Sequence, residues 1–159
     1  EALPAFVDKA KTIIAGATGE LTEAAEEAKA TYPGRVFVAP DFPFEDLGAF
    51  YGAADLVLAP SPDHRPCMGL AIKEAMASGK PVIACEVGGI PEAVTHEETG
   101  LLIPPDDAQA LTLAVDRLLA DAEERRSMGA AGRRRAEELF SVDRTNQRLE
   151  AVFRRILDS

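Results

Sequence analysis

Short apolar runs recur along the chain at intervals that leave room for a helix between them. Each run is only four to six residues long and carries few polar interruptions, as expected of strands buried in a parallel sheet. The predicted strands cover residues 11–16, 35–38, 55–59 and 81–85.

Helical periodicity fills the segments between and after these runs. In the first part of the chain, helices are predicted over residues 3–10, 21–32, 41–52 and 69–77, with a short helix after Gly88-Gly89. In the last third, helices are predicted after a cap at Asp106 or Asp107, over residues 123–139, and from Ser141 onwards. We expect the last helix to turn one apolar stripe toward the core: Leu149, Val152, Phe153 and Ile156. Strands alternating with helices predict a parallel sheet with right-handed crossovers.

Residues 60–94 carry the strongest indication of a ligand site. Two loops, 60–69 and 85–90, follow predicted strands and lead into glycine-containing helix starts. Ligands of open parallel sheets bind beyond the carboxyl ends of the strands, and helix N-termini favour phosphate. Glu74 follows Gly69 by about one and a half turns and could accept hydrogen bonds from sugar hydroxyls. The residues therefore predict a nucleotide or phosphosugar site.

The same segment resembles the donor-binding domain of the retaining glycosyltransferases with the GT-B fold, the glycogen synthase relatives. That family has Glu-Pro-Phe-Gly-Leu, then Glu-Ala-Met-Ala, Gly-x-Pro-Val-Ile-Ala and Gly-Gly-x-x-Glu in this order. The matching blocks here are Pro-Cys-Met-Gly-Leu at 66–70, Glu-Ala-Met-Ala at 74–77, Gly-Lys-Pro-Val-Ile-Ala at 79–84, Gly-Gly-Ile-Pro-Glu at 88–92 and Thr-Gly-Leu-Leu-Ile-Pro-Pro at 99–105. The blocks occur in the right order, so the resemblance extends over nearly the whole chain.

The resemblance implies an α/β fold: a Rossmann-like, doubly wound parallel sheet with helices on both faces, the C-terminal half of a GT-B enzyme. Residues 1–159 are expected to form one donor-binding domain that lacks its first strand. The enzyme would transfer a hexose from a nucleoside diphosphate sugar to an acceptor hydroxyl, with retention and without a metal. Its partner would be an N-terminal acceptor domain. Without it we expect an inactive fragment, whose open sheet edges invite self-association.

The resemblance also assigns roles to particular residues. Glu74 matches the carboxylate that binds the nucleotide ribose, and charge-assisted hydrogen bonds to a diol are strong ones. The backbone amides of the loop before it would meet the donor sugar and phosphate: Cys67, Met68, Gly69 and Leu70. Gly16 lies in a loop that borders the nucleotide in the family, although a plain strand-to-helix turn explains it equally well. Gly88, Gly89 and Glu92 are expected to shape the cleft.

One position departs from the family pattern. Pro66 stands eight residues before Glu74, where the family commonly has a glutamate that contacts the donor sugar. A proline side chain neither donates nor accepts a hydrogen bond, so either Asp63 takes the role or the sugar is held differently. The identity of the sugar is therefore open, as are the base and the acceptor.

Composition narrows the functional classes further. The net charge of −10 argues against nonspecific nucleic-acid binding, which needs a basic face. Two cysteines do not make a disulfide framework. No apolar run approaches the ~18 residues that span a bilayer. A cytoplasmic setting is therefore expected. His64 and His96 lie far apart in the sequence, and no spacing indicates a metal site or a bound cofactor.

Two other functional classes remain open. Pro66 also fits a non-catalytic module that has the same fold and binds either sugar nucleotides or a partner. Another GT-B enzyme, such as a sugar-nucleotide epimerase, fits the Glu-Ala-Met-Ala and Gly-Gly-Ile-Pro-Glu blocks less well.

Overall fold

The computed structural model describes residues 5, 7–15, 20–39, 43–61 and 69–157. Strands and helices alternate through these ranges. They are β1 (Thr12–Ala15), α1 (Glu20–Thr31), β2 (Val36–Ala39), a 3-10 turn (Phe44–Asp46), α2 (Leu47–Ala53), β3 (Val57–Ala59), α3 (Leu70–Ala77), β4 (Val82–Cys85), α4 (Ile90–Ala93), β5 (Gly100–Ile103), α5 (Ala108–Ala120), α6 (Ala122–Leu139) and α7 (Val142–Leu157). The predicted helix over residues 3–10 falls partly outside the described residues, and its described end, residues 7–9, is a turn.

All strand pairs in the described residues are parallel, which confirms the predicted α/β class. β1 pairs with β2 in a two-stranded sheet. β4 lies between β3 and β5 in a three-stranded sheet. Parallel neighbours need a crossover between them, and helices α1, α3 and α4 lie in those connections.

The main core surrounds β4. Its four residues, Val82 to Cys85, are each at most 3% exposed. Successive side chains of a strand point to opposite sides, so both faces of the sheet are covered here. This explains why β4 reads as an unbroken apolar run rather than an alternating one. From α3, Ile72 and Met76 join the same cluster of buried side chains, as does Leu118 from α5.

Helix α6 packs closely against the end of α3. A Cβ atom placed on Gly129 of α6 would lie 2.2 Å from the carbonyl oxygen of Gly79, the residue that turns the chain out of α3. Gly79 has φ 70°, in the left-handed region where glycine is favoured and where many helices end. The absent side chain at Gly129 therefore allows α6 to hold the α3–β4 turn in place.

The prediction that the strand at residues 11–16 is buried is wrong for half of β1. Ile13 is 54% exposed, and its neighbour in the register, Phe37 of β2, is 44% exposed. The two apolar side chains lie side by side on one face of the sheet, and no part of the described chain covers that face. A short apolar run identifies a strand but does not specify what lies on each of its faces.

The prediction for the last helix is also partly wrong. α7 forms where expected, but the stripe that should face the core is exposed in the described structure: Leu149 51%, Val152 53%, Phe153 55% and Ile156 63%. α7 is tied to α6 near its start, where Arg148 Nη1 donates to the carbonyl oxygen of Leu139. Helical periodicity reveals an apolar stripe, but it does not show which surface that stripe packs on. Among the described helices, none combines the length and the apolar character needed to cross a bilayer.

Candidate functional site

The start of α3 has the backbone geometry expected for an anion site. Gly69 adopts φ 58° and ψ 70°, a left-handed conformation that L-residues rarely adopt. The first intrahelical hydrogen bond runs from the Lys73 N–H to the Gly69 carbonyl. The amides of Leu70, Ala71 and Ile72 therefore have no acceptor within the helix, and they lie at the positive end of its dipole.

Glu74 lies about 7.5 Å further along the helix axis, since each residue advances the helix by about 1.5 Å. Its side chain is half-buried. Its Oε2 accepts a hydrogen bond from the Tyr51 hydroxyl at 3.1 Å. The carboxylate is thus tied to α2, the helix that precedes β3.

Tyr51 connects the core to this carboxylate. The side chain is 8% exposed, belongs to the main core cluster and meets Phe50 edge to face, with ring centroids 5.7 Å apart. Burial, together with the hydrogen bond to Glu74 and its negative charge, raises the pKa of Tyr51 to about 12. The phenol therefore stays protonated and remains a donor at neutral pH. The sequence analysis predicted a helix over residues 41–52, which contains Tyr51, but not this contact.

The described structure covers only some of the residues that the sequence singled out. Gly69, Leu70 and Glu74 fall together on α3 and its first turn, and the Leu70 side chain is 71% exposed. Cys67, Met68 and Gly16 lie outside the described residues, as do Asp63 and Pro66. Their predicted roles, like that of Glu74, stay predictions.

The nearest basic residue on α3 is engaged elsewhere. Lys73 places its ammonium 4.7 Å from the centre of the Phe140 ring, at the end of α6. This cation–π contact directs Lys73 toward α6. In the second predicted loop, Gly88 has φ 53°, and the carbonyl of Glu92 accepts a hydrogen bond from Arg135 Nη2. That contact ties α4 to α6 and leaves the Glu92 carboxylate exposed.

The described residues contain no cluster of three or more His, Cys, Asp or Glu side chains that could hold a metal. The Nδ1 atom of His96 accepts a hydrogen bond from the Leu102 N–H, which explains this histidine as a loop residue.

A shallow cavity of about 190 Å³ lies at the other end of the strands, next to Asp55, Lys80 and Arg125. Lys80 donates to the Gly52 carbonyl, and Arg125 donates to the carbonyls of Leu118 and Leu119. The cavity lies at the amino ends of β3 and β4, the wrong end for a ligand of a parallel sheet. Its third cation, Arg126, forms an ion pair with Glu123, so all three already have partners. We therefore place the candidate site at Gly69 and Glu74.

Comparison of the sequence with known proteins identifies the family of this chain. The family profile described as "Glycosyl transferases group 1" matches residues 1–121. The chain belongs to this family. A D-inositol 3-phosphate glycosyltransferase from Salinispora tropica is 43% identical over 119 residues, which cover 75% of this chain and 24% of the relative. A protein of the same name from Xylanimonas cellulosilytica is 38% identical over 135 residues, 82% of this chain and 32% of the relative.

Solved GT-B glycosyltransferases share the fold of this group 1 chain. Sucrose-phosphate synthase from Thermosynechococcus elongatus is 32% identical with a TM-score of 0.85, over 98% of this chain and 41% of the other. HepE from Anabaena, solved in complex with UDP-glucose, is 25% identical with a TM-score of 0.83, over 96% of this chain and 43% of the other. The chain spans about a quarter to a third of the two curated relatives and less than half of these solved chains.

Proposed function

We propose that this chain binds the nucleoside diphosphate sugar donor of a glycosyltransferase. The enzyme would move a hexosyl group from that donor to an acceptor hydroxyl with retention of configuration. Membership in the group 1 family supports a transferase. HepE, which has a similar fold, binds UDP-glucose, and this supports a nucleotide sugar as the ligand.

The observation that carries the proposal is the pairing of two unlike groups on one helix. The left-handed Gly69 opens α3 with amides that have no acceptor in the helix, which suits a phosphate. The half-buried Glu74 carboxylate, already held by one hydrogen bond, suits a sugar diol. A nucleoside diphosphate carries both groups, with the diphosphate directly attached to the ribose.

The chemistry proposed for this site is electrostatic. As the glycosidic bond to the donor breaks, negative charge develops on the leaving diphosphate. Oriented amides stabilise such charge without having to reorganise during the reaction. On a chain of net charge −10 this local field has to act against the field of the whole chain. Retention and independence of a metal follow from the family resemblance, and the nucleotide sugar would be a substrate rather than a resident cofactor.

The isolated chain should bind the donor without transferring the sugar. The chain spans 24% of the Salinispora relative. The acceptor-binding part would have to come from a region that this chain does not span. The expectations of an acceptor-domain partner, of one domain over residues 1–159, of self-association and of a cytoplasmic setting remain proposals.

Isothermal titration calorimetry with UDP, GDP and ADP tests the proposal. We expect one of the three to bind and Glu74→Gln to weaken that binding about tenfold, because a charge-assisted hydrogen bond to the ribose is lost. Glu98→Gln is the matched control, since Glu98 is exposed in the loop before β5. Failure of all three nucleotides to bind, or equal effects of the two substitutions, would overturn the assignment.

A non-catalytic binding module is the second candidate, and Pro66 is the observation that favours it. Donor hydrolysis by the complete protein separates the two. An enzyme releases free sugar from the donor at a measurable rate and loses that activity with Glu74→Gln. A binding module retains nucleotide affinity but releases no sugar.

A further inference from the structure

We propose that Tyr51 is a positioning residue for nucleotide recognition: its hydroxyl fixes the Glu74 carboxylate in the orientation that accepts the ribose diol. The inference rests on the proposed function, because it takes Glu74 as the ribose-binding group. It adds a residue that lies 23 positions away in the sequence and on a different helix.

The geometry provides a rigid anchor. Tyr51 is 8% exposed and lies within the core cluster, so its ring has little freedom to move. The edge-to-face contact with Phe50 has an interplanar angle of 74°. From this fixed ring the hydroxyl reaches Oε2 of Glu74 at 3.1 Å. The only flexible partner in the pair is therefore the glutamate side chain, which the contact immobilises.

The chemistry leaves the carboxylate able to bind a ligand. An ionised carboxylate offers about four acceptor positions on its two oxygens. One phenol occupies one of these positions, so Oε1 and the remaining position on Oε2 can still accept hydrogen bonds from two hydroxyls. Orienting the carboxylate before the ligand arrives reduces the entropy lost on binding.

A purely structural role is the competing explanation. The bond joins α2 to α3, and it could serve only to fix the two helices against each other. Such a role predicts a loss of stability that weakens the binding of every nucleotide to the same extent. A positioning role predicts a selective loss for nucleotides that carry the ribose diol.

The experiment compares by titration calorimetry the affinity of the chain for UDP and for 2′,3′-dideoxy-UDP; if GDP or ADP is the nucleotide that binds, it and its dideoxy analogue replace this pair. For the wild type we expect UDP to bind at least about tenfold more tightly, since the dideoxy compound cannot donate to Glu74. Tyr51→Phe keeps the ring and removes only the hydroxyl. We expect it to reduce the ratio about threefold to tenfold while changing the affinity for the dideoxy compound much less.

Two controls complete the test. Tyr32→Phe removes the hydroxyl of the other tyrosine, which follows α1, and should leave the ratio at the wild-type value. In a Glu74→Gln background, Tyr51→Phe should have no further effect on the ratio, because residues that act as one unit are not additive.

The outcomes separate the two proposals. A wild type that binds none of UDP, GDP and ADP, or that binds a nucleoside diphosphate and its dideoxy analogue equally, overturns the ribose role of Glu74 and the positioning role with it. A wild type that prefers UDP, together with a Tyr51→Phe variant that keeps the full preference, overturns the positioning role alone. A selective loss in Tyr51→Phe that disappears in the Glu74→Gln background supports it.

Discussion

Replacing Gly129 by alanine should destabilise the chain, because α6 meets the turn after α3 at this point. The new Cβ would lie 2.2 Å from the Gly79 carbonyl oxygen and 2.9 Å from its carbon. Ordinary carbon–oxygen contacts are about 3.3–3.6 Å, so the two segments would have to separate by about 1 Å. The neighbouring atoms belong to the backbone, and they cannot move aside by changing a rotamer.

The net effect is the difference between two contributions. Overpacking a close contact costs about 1–3 kcal/mol, and sometimes more. Alanine is favoured over glycine within a helix by about 1 kcal/mol, which offsets part of that cost. The difference is about 0–2 kcal/mol, and because the close atoms belong to the backbone we expect Gly129→Ala to lie at the upper end, lowering the free energy of unfolding by about 2 kcal/mol.

Urea unfolding followed by circular dichroism measures this change. Gly48→Ala in α2 is the matched control, because a Cβ there meets nothing within 4 Å. It should leave the free energy of unfolding unchanged or raise it by up to about 1 kcal/mol. If Gly129→Ala stabilised the chain as much as Gly48→Ala does, α6 could not lie against Gly79 as described.

Three further predictions concern the core, a helix cap and the phenol. Leu118→Ala should lower the free energy of unfolding by about 2–5 kcal/mol, since Leu118 is fully buried. Phe153→Ala should change the free energy of unfolding by no more than about 0.5 kcal/mol, because the Phe153 side chain is exposed. The carboxylate of Asp121 caps α6 by accepting the Glu124 and Glu123 N–H groups, which lowers the pKa of Asp121. The stability that wild type has over Asp121→Ala should therefore be complete at neutral pH, begin to fall near pH 4 and be lost only as urea midpoints are followed below the lowered pKa of Asp121. The pKa of Tyr51 is raised from 10.0 to about 12, so its stabilising contribution should be complete below pH 10 and decline above it. The difference in urea midpoint between wild type and Tyr51→Phe should shrink from pH 9.5 to pH 11, and a constant difference would contradict this.

Most of the order of the elements could be predicted because the signals that set it are local, although β5 was not among the predicted strands. The apolar run of β4 and the helical span of α3 each depend on a few adjacent residues. The same holds for the cap of α5, where Asp107, one of the two residues predicted, accepts from the Ala110 N–H. A cap satisfies backbone groups of its own turn, so it can be identified without knowledge of the fold.

Contacts between distant segments could not be predicted in this way. Nothing in the spacing of Tyr51 and Glu74 indicates that the two side chains meet, because the register of α2 against α3 depends on the whole core. The exposure of the α7 stripe and of Ile13 was missed for a related reason. Periodicity identifies an apolar face, while burial depends on what other elements bring against that face.

The most direct test of the central claim is to map nucleotide binding by NMR. Addition of the nucleoside diphosphate that binds in the titration (UDP, GDP or ADP) to the ¹⁵N-labelled chain should shift the amide resonances of Leu70, Ala71 and Ile72 most strongly, since these groups are proposed to meet the phosphate. The amides next to the opposite cavity, at Asp55 and Lys80, should remain unchanged. If the largest shifts appeared at Asp55 and Lys80 while the start of α3 stayed unperturbed, the proposed donor site would be contradicted.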